Sequence, residues 1–192
     1  MKINSVKKSE IFEDVKIILF DCFEDNRGFF TEPFRQSQMK EFVGNWQVVQ
    51  MNESFSIDNV LRGLHFQWNP YMGKLVRVIS GRMIDLILDI RRDSDTVGKI
   101  IAYEMSGMDY EWIWVPPGFA HGNFFPEVTR IQYLCSGEYN PDCEAGISPF
   151  AEDIDWSDCD FKLEKNVTIS EKDKNGLSLK EWFDDKRSFN FI

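Results

Sequence analysis

The segment LRGLHFQ, residues 61–67, places a histidine in a run that otherwise has the pattern of a buried β-strand. The chain has two histidines, His65 and His121, and both lie in strand patterns rather than in polar loops. Imidazole takes up and releases protons near neutral pH, which suits it to acid–base catalysis. A histidine that points into a β-barrel is therefore either a hydrogen-bonded structural group or a base, an acid or a metal ligand.

A metal centre is the main alternative for histidines in a β-barrel. Catalytic zinc and iron sites usually take three protein ligands from histidine and carboxylate side chains. The chain has no HxH pair and no third histidine, although a site made of His65, His121 and a carboxylate remains possible by count. We favour a metal-free role and expect no cofactor.

Polar side chains recur at every second position of the segment QMNES, at Gln50, Asn52 and Ser54. Period two places them on one face of a strand. Buried polar groups without partners cost free energy, so this face is either solvated or binds a polar ligand. Tyr133, in the later strand pattern VTRIQYLC, is either a packed core residue or a general acid.

The charge balance restricts the class of ligand. The chain has 22 Lys and Arg against 32 Asp and Glu, a net charge of −10. Such a charge repels nucleic acids and anionic membranes, so neither is expected as a partner. An anionic ligand would have to be held by a few local cations, for which Arg62 and Lys74 are candidates.

The cysteines and the N-terminus predict a cytoplasmic protein. The four cysteines form no CxxC pair, and the N-terminus has no long apolar run. No segment approaches the roughly 20 apolar residues of a membrane span.

The elements that must position these residues are mainly strands. Nine short runs rich in β-branched and aromatic residues, separated by turn signals, predict a sandwich or barrel. They are VKIILF, WQVVQMN, VLRGLHFQW, KLVRVI, RMIDLILDI, KIIAYEM, EWIWVPP, GFAHGNFF and VTRIQYLC. The connection Ser80-Gly81 predicts a hairpin between KLVRVI and RMIDLILDI. Helices are predicted only within residues 34–44 and 177–185, and the polar stretch 164–175 is expected to leave the barrel.

Eight motifs between about Cys22 and Asp173 share their order and spacing with a known family. They are DNRGFFTE, QMNES, VLRGLHFQ, GKLVRVISG, DLILDIR, VPPGFAHG, QYLCSGEYNP and SEKD. The chain resembles the dTDP-4-dehydrorhamnose 3,5-epimerase family, which comprises metal-free sugar-nucleotide epimerases of cupin fold. The resemblance implies an all-β double-stranded β-helix (jelly-roll) barrel with short peripheral helices. We predict one domain over residues 1–192, with a core at about 15–160 and a C-terminal extension with a short helix at about 161–192.

The same resemblance, carried over residue by residue, implies a proton-transfer site. His65 would abstract a proton next to the keto group of the substrate, and Asp173 would orient and charge its imidazole. Tyr133 would return a proton from the opposite face of the sugar. Lys74 and Ser54 would stabilise the oxyanion of the enolate.

Further positions would bind the rest of a nucleotide sugar. His121 would complete the polar pocket, and Tyr139 would pack on the sugar. The nucleotide-binding positions implied by the resemblance are Arg27, Phe30, Glu32, Gln50, Asn52, Arg62 and Lys172. In the family some of these residues come from a second subunit, so we expect a homodimer with an exchanged N-terminal strand.

One feature of the segment LRGLHFQ conflicts with this scheme. In a regular strand His65 and Gln67 face one way, while Arg62, Leu64 and Phe66 face the other. The scheme requires Arg62 and His65 in the same pocket. We therefore expect a bulge or twist near Gly63, where glycine would allow it.

The expected function is inversion of C3 and C5 of an NDP-4-keto-6-deoxyhexose, for synthesis of a deoxysugar of a surface polysaccharide. The chain departs from the family pattern in ISPFAEDIDW, at Asp95 and Val97 in SDTVG, and at Met72. These departures leave the acid and the base intact but bear on the sugar and the nucleobase. The alternatives are inversion of C3 or C5 alone, a GDP- or CDP-linked substrate, or a non-catalytic sugar-binding cupin.

Overall fold

The computed structural model describes residues 2–192, which fold mainly into β-strands. The strands in chain order are β1 Ile3–Lys8, β2 Lys16–Phe20, β3 Cys22–Asp25, β4 Gly28–Thr31, β5 Gln50–Ser56, β6 Val60–Gln67, β7 Lys74–Ser80, β8 Arg82–Asp89, β9 Ile100–Ser106, β10 Glu111–Val115, β11 Phe119–Phe125, β12 Thr129–Cys135, β13 Glu144–Gly146 and β14 Thr168–Ile169. The α-helices are α1 Gln36–Val43, α2 Glu171–Lys174 and α3 Leu179–Asp184, and 3₁₀ turns cover Pro141–Cys143 and Lys186–Asn190. Within residues 2–192 none of the helices combines the length and the hydropathy of a membrane span.

The strands form two sheets that face each other. The first sheet has the order β1-β2-β10-β7-β12-β5, and the second has the order β13-β6-β11-β8-β9, with the short β14 parallel to β6. Strands β3 and β4 form a separate two-stranded hairpin. This is the cupin-like, all-β architecture that the sequence predicts.

Alternation along β10 shows how one strand serves two cores. Ile113 and Val115 are buried between the two sheets. Trp112 and Trp114 face the other way and pack with Met39 of α1, which covers part of the outer face of the first sheet. The helix therefore buries aromatic side chains that would otherwise be exposed on the outside of the sandwich.

The C-terminal residues cover the outer face of the second sheet. Leu64 and Phe66 of β6 pack in one cluster with Trp182 and Phe191. The rings of Phe66 and Trp182 lie 4.6 Å apart in an edge arrangement, which is a favourable geometry for an aromatic pair. This packing fixes β6 from outside, on the face opposite to the polar side chains discussed below. The division into a core and an extension stays a prediction.

The predicted hairpin at Ser80-Gly81 is wrong. Strand β7 pairs with β10 and β12 in the first sheet, whereas β8 pairs with β9 and β11 in the second. The two residues carry the chain from one sheet to the other, and Gly81 has a φ of 82° there. A Cβ on Gly81 would lie 2.4 Å from the carbonyl oxygen of Val128. A short connection with a positive φ is compatible with a hairpin and with a crossing between sheets. The residues of the connection therefore do not distinguish between these two structures.

Most other element predictions are confirmed. All nine strand patterns contain a strand, although residues 46–49 precede β5 without strand structure, and both helices form where expected. The expectation that residues 164–175 leave the barrel is wrong for β14, which pairs with β6, whereas α2 adds a peripheral helix after it. Sequence analysis missed β1, the β3–β4 hairpin, β13 and β14, since these strands are short or rich in charged residues.

Candidate active site

A bulge in β6 brings Arg62 and His65 to the same face. Between the cross-strand pairs His65–His121 and Arg62–Asn123, β6 has one residue more than β11. Gly63 has a φ of 115°, and a Cβ there would lie 2.5 Å from the β11 backbone, so only glycine suits the position. The expected irregularity near Gly63 is confirmed, and strict alternation is wrong for this strand.

His65 is hydrogen-bonded to a carboxylate from a distant part of the chain. Helix α2 starts after Ser170, whose hydroxyl accepts from the Asp173 backbone N–H. Asp173 Oδ1 lies 2.8 Å from His65 Nε2, and its Oδ2 accepts from the Gly63 N–H at 3.1 Å. Burial alone would raise the pKa of Asp173, but the hydrogen bonds with His65, Gly63 and Ser170 outweigh it and lower the pKa. The carboxylate therefore stays ionised at neutral pH and fixes the imidazole, whose Nδ1 has no partner within residues 2–192.

A cavity of about 600 Å³ lies between the two sheets beside this pair. Half of the sequence-predicted site residues line it: Ser54, Arg62, His65, Lys74, His121, Tyr133 and Asp173. They come from five strands and one helix that are far apart in the sequence. The cavity is of ordinary size for a site that encloses a small ligand.

The base candidate and the acid candidate lie on opposite sheets. His65 belongs to β6 of the second sheet, and Tyr133 belongs to β12 of the first. Burial raises the pKa of Tyr133, so the phenol keeps its proton at neutral pH. Burial lowers the pKa of Lys74, against the opposing effect of Cys135 and nearby carboxylates. A sugar ring between the sheets would have an imidazole on one side and a phenol on the other, which is the arrangement that inversion by proton transfer needs.

His121 has an aspartate partner that sequence analysis missed. Its Nε2 lies 2.8 Å from Oδ1 of Asp85, and Asn123 donates a second hydrogen bond to the same oxygen. The other oxygen, Oδ2, is buried without a partner within residues 2–192. A signal was available in the sequence. Asp85 lies between apolar residues in the middle of the strand pattern RMIDLILDI, so its carboxylate would need a partner inside the fold.

A second cavity of about 420 Å³ shares His65, Lys74 and Tyr133 with the first. It is also lined by Gln50 and Asn52. The side chains of Gln50 and Asn52 thus point toward the cavity. This excludes the alternative that the polar residues of β5 lie on the outer face of the strand, in solvent.

Residues around the second cavity are joined by hydrogen bonds. Gln50 accepts a hydrogen bond from the backbone N–H of Tyr139 at 2.8 Å. Glu144 Oε1 accepts from the Tyr139 hydroxyl at 2.9 Å and forms an ion pair with Lys172. Sequence analysis missed Glu144, because nothing in the segment PDCEAG distinguishes a surface carboxylate from one that is paired at a cavity.

Three predicted binding residues are not brought to either cavity. Arg27 and Phe30 lie on the exposed β3–β4 hairpin, where Arg27 is paired with Asp25. Glu32 follows the hairpin and is paired with Arg35. Within a single chain these residues do not contact the groups around His65.

The described residues do not assemble a metal site. Within residues 2–192 no group of three His, Cys, Asp or Glu side chains is placed to hold a metal ion. His65 and His121 each have their own aspartate instead of sharing a carboxylate. Independence from metals stays a prediction about the reaction.

A cupin-like barrel with an imidazole and a phenol on opposite sheets of one cavity has groups that suit a carbohydrate epimerase. The sequence model of the dTDP-4-dehydrorhamnose 3,5-epimerase family matches residues 9–181. The chain belongs to this family.

Individual relatives cover nearly the whole chain. The dTDP-4-dehydrorhamnose 3,5-epimerase of Methanothermobacter thermautotrophicus is 38% identical over 86% of this chain and 89% of its own length. That of Shigella flexneri is 39% identical over 90% and 94%. The crystal structure of the dTDP-6-deoxy-D-glucose-3,5-epimerase from Legionella pneumophila, in complex with dTDP-4-keto-L-rhamnose, covers 92% of this chain and 93% of its own, with 34% identity and a TM-score of 0.84.

Proposed function

We propose that the protein inverts C3 and C5 of a dTDP-4-keto-6-deoxyhexose in the cytoplasm. The resulting 4-keto sugar is used to make a deoxysugar of a surface polysaccharide. The observation that carries the proposal is the pair His65–Asp173 facing Tyr133 across one cavity, in a chain of this family. The dTDP-linked ligand of the Legionella enzyme supports the choice of nucleotide.

The first step is removal of a proton from the carbon next to the ketone. His65 Nδ1 takes the proton while Nε2 stays hydrogen-bonded to Asp173, whose negative charge stabilises the imidazolium. The electrons of the C–H bond form a C=C bond, and the carbonyl oxygen becomes an enolate oxygen. Lys74 and Ser54, which line the same cavity, stabilise that charge by donating hydrogen bonds.

The second step returns a proton from the other face of the ring. Tyr133 donates its proton to the carbon, the C=C electrons form the new C–H bond, and the carbonyl reforms with the centre inverted. The raised pKa of Tyr133 keeps the phenol protonated until this step. Solvent must then take a proton from His65 and supply one to Tyr133 before the second centre reacts.

The nucleotide is held at the edge of the cavity. Arg62 lines the cavity with an exposed side chain whose Nε donates to Ser56 Oγ at 3.0 Å and whose Nη2 donates to the Phe55 carbonyl at 3.4 Å. Its Nη1 is available to a diphosphate. Gln50, Asn52, Tyr139 and Lys172 form a second polar group at the adjoining cavity. This local charge offsets the repulsion that the acidic chain exerts on an anion.

A second copy of the chain would supply the missing binding residues. The β3–β4 hairpin exposes Phe23, Phe29 and Phe30, and the outer face of the edge strand β5 exposes Met51 and Phe55. Exposed apolar side chains in such numbers mark interfaces. In a homodimer the hairpin would carry Arg27, Phe30 and Glu32 to the cavity of the partner. Strand β1 pairs with β2 of its own chain, and its exchange between subunits stays a prediction.

The experiment is incubation of the enzyme with dTDP-4-keto-6-deoxyglucose in deuterated water. We expect deuterium at both C3 and C5 and inversion at both, read by NMR and mass spectrometry, with a rate unchanged by a chelator. Deuterium at one carbon only would reduce the function to single-centre epimerisation. No deuterium uptake with dTDP-, GDP- or CDP-linked 4-keto sugars would contradict the proposal.

The dimer has its own test in two matched variants. Phe55→Glu should produce monomers in sedimentation and weaken dTDP binding, because it places a charge in the proposed interface. Met108→Glu, at a more exposed apolar side chain in the turn between β9 and β10, should remain dimeric. Equal association of the two variants would contradict an interface on the outer face of β5.

A further inference from the structure

Asn52 lies directly opposite the acid candidate in the first sheet. It is the cross-strand partner of Tyr133, and both side chains line the second cavity. Side chains that are directly opposed in a sheet share one face and have Cβ atoms about 5 Å apart. The partner of Tyr133 on the other neighbouring strand is Val76, which has no hydrogen-bonding side chain. Of the two residues directly opposite the phenol, only Asn52 can therefore hydrogen-bond to it.

Hydrogen bonds determine how the Asn52 amide is oriented. Its Oδ1 accepts from Gln50 Nε2 at 3.0 Å, and Gln50 Oε1 accepts from the Tyr139 backbone N–H at 2.8 Å. The Asn52 Nδ2 lies 3.9 Å from the Sγ atom of Cys135, and a thiol sulfur is a weak acceptor. Because an amide nitrogen carries two hydrogens, at least one N–H of Asn52 remains for a stronger acceptor on β12.

The electrostatics of Tyr133 agree with this orientation. Burial and the nearby Cys135 raise the pKa of Tyr133, whereas the Asn52 amide and the charge of Arg62 act in the opposite direction. A hydrogen-bond donor has this effect because it stabilises the phenolate more than the phenol. A phenol oxygen that accepts from Asn52 also has to point its own O–H away from that amide. The phenolic proton is then left on the side of the cavity.

We propose that Asn52 is a positioning residue for the acid, whose amide donates to the Tyr133 hydroxyl and turns the phenolic proton toward the sugar. The inference rests on the proposed function and gives Asn52 a role in the reaction besides its place at the nucleotide. As the proton leaves for the carbon, the same donor stabilises the negative charge that forms on the phenol oxygen. Proton return therefore depends on Asn52, whereas proton removal by His65 does not.

The two steps of the reaction provide a readout that a structural role would not change. Proton removal by His65 is measured as deuterium in recovered substrate, and proton return by Tyr133 is measured as inverted product. Weaker substrate binding or partial unfolding lowers both rates together. Loss of the Asn52 contact lowers the second rate alone. The ratio of inversion to exchange, at saturating dTDP-4-keto-6-deoxyglucose, thus reports the positioning role.

The discriminating variants are Asn52→Leu and Asn52→Asp, which nearly keep the size of the side chain and remove the N–H donor. The ratio of inversion to exchange should fall by about fivefold or more in Asn52→Leu, the effect of one ordinary hydrogen bond. It should fall further in Asn52→Asp, because the new carboxylate accepts the phenolic proton and holds it away from the sugar. Gln132→Leu is the matched control, since Gln132 precedes Tyr133 on β12, faces the other way and hydrogen-bonds Arg77.

The outcomes separate the role of Asn52 from the function itself. Melting curves show whether each variant is folded, and Gln132→Leu should keep the wild-type ratio. A wild-type ratio in both Asn52 variants, or an equal fall of exchange and inversion, would overturn the positioning role and leave the proposed function intact. Absence of exchange in the wild-type enzyme with every 4-keto sugar nucleotide would overturn the proposed function and this inference with it.

Discussion

Two histidine–aspartate pairs lie next to each other in the second sheet, and they differ mainly in access to solvent. His65 and His121 are cross-strand partners, and in each pair Nε2 lies 2.8 Å from a carboxylate oxygen. The side chain of His65 is 35% exposed, whereas that of His121 is 5% exposed. Equal hydrogen-bond geometry therefore does not imply an equal role, because a base must exchange its proton with substrate and solvent.

The two aspartates also differ in the hydrogen-bond partners of their carboxylate oxygens. Asp173 accepts from His65 and from the Gly63 backbone, and it comes from a short helix added to the barrel. Asp85 belongs to a central strand, is fully buried and has one oxygen without a partner within residues 2–192. The first pair is held at the cavity by a peripheral element, and the second is part of the core. We infer that the first pair performs proton transfer and that the second positions polar groups at the cavity wall.

The strongest test of this difference replaces each histidine by asparagine. His65→Asn should lower deuterium uptake into the substrate by at least about 10³-fold, because the base is lost, and should leave the melting temperature nearly unchanged. His121→Asn should cost less activity and more stability, because it removes one partner of a buried hydrogen-bonded pair. Deuterium uptake and melting curves measure both, and equal losses of activity in the two variants would contradict the division of roles.

The next largest effect concerns the group that faces the exposed pair. Tyr133→Phe should lower formation of inverted product by about 10²-fold while His65 still exchanges the substrate proton with solvent. Reprotonation by His65 would return the original configuration, so deuterium should accumulate in recovered substrate. NMR of substrate and product in deuterated water separates the two steps. Product formation at the wild-type rate would show that another group is the acid.

The aspartates can be compared in the same manner. Asp173→Asn should lower kcat by roughly tenfold or more and move the acid limb of the pH–rate profile to lower pH, because a neutral amide does not favour the protonated base. The lowered pKa of Asp173 means that the wild-type enzyme keeps this carboxylate down to acidic pH. Asp85→Asn should leave the position of the acid limb unchanged. A shift of the same size in both variants would make the two pairs functionally equivalent.

Replacement of Arg62 shows whether the bulge in β6, which brings Arg62 to the same face as His65, also places Arg62 at the nucleotide-binding site. A charge-assisted contact to a diphosphate contributes about 1.5–3 kcal/mol, so Arg62→Ala should raise the Kd for dTDP by roughly tenfold or more. Arg82→Ala, at an exposed arginine paired with Glu104 and outside the cavity lining, is the control. Calorimetry with dTDP gives the answer, and an unchanged Kd in Arg62→Ala would show that the guanidinium does not face the ligand.

The smallest effect concerns a third buried carboxyl group, one that has no histidine partner. Burial raises the pKa of Glu111 to about 7, although Tyr103 donates a hydrogen bond to it. Between about pH 4.5 and 7 the folded protein holds a proton that the unfolded chain has lost, so the free energy of unfolding should fall as the pH rises through this range. Glu111→Gln should remove this dependence and stabilise the protein at pH 8 by on the order of 2 kcal/mol.

Urea unfolding of both proteins at several pH values measures this difference. The two curves should meet near pH 5 and diverge above it. Curves that stay parallel from pH 5 to pH 8 would show that Glu111 is ionised in the folded protein throughout.

From the sequence one can predict the family, the nine main strands, two of the helices and seven of the residues that line the first cavity. These predictions follow from local patterns. They are the alternation of side chains in the strands, glycine at positions of positive φ, and motifs whose order and spacing along the chain match those of a known family. The sequence also showed that regular alternation would place Arg62 and His65 on opposite faces of β6. Gly63 marks the position where this alternation fails.

Which distant groups meet depends on the tertiary structure. The sequence contains Asp85 and Glu144, but their partners His121 and Lys172 lie far away along the chain, and no local pattern links them. The same holds for Ser80-Gly81, whose local conformation suits a hairpin while the pairing of whole strands sends β7 and β8 into different sheets. Strand pairing is a competition among all edges of the fold, so it is settled by the burial of the entire core and not by the residues at one turn.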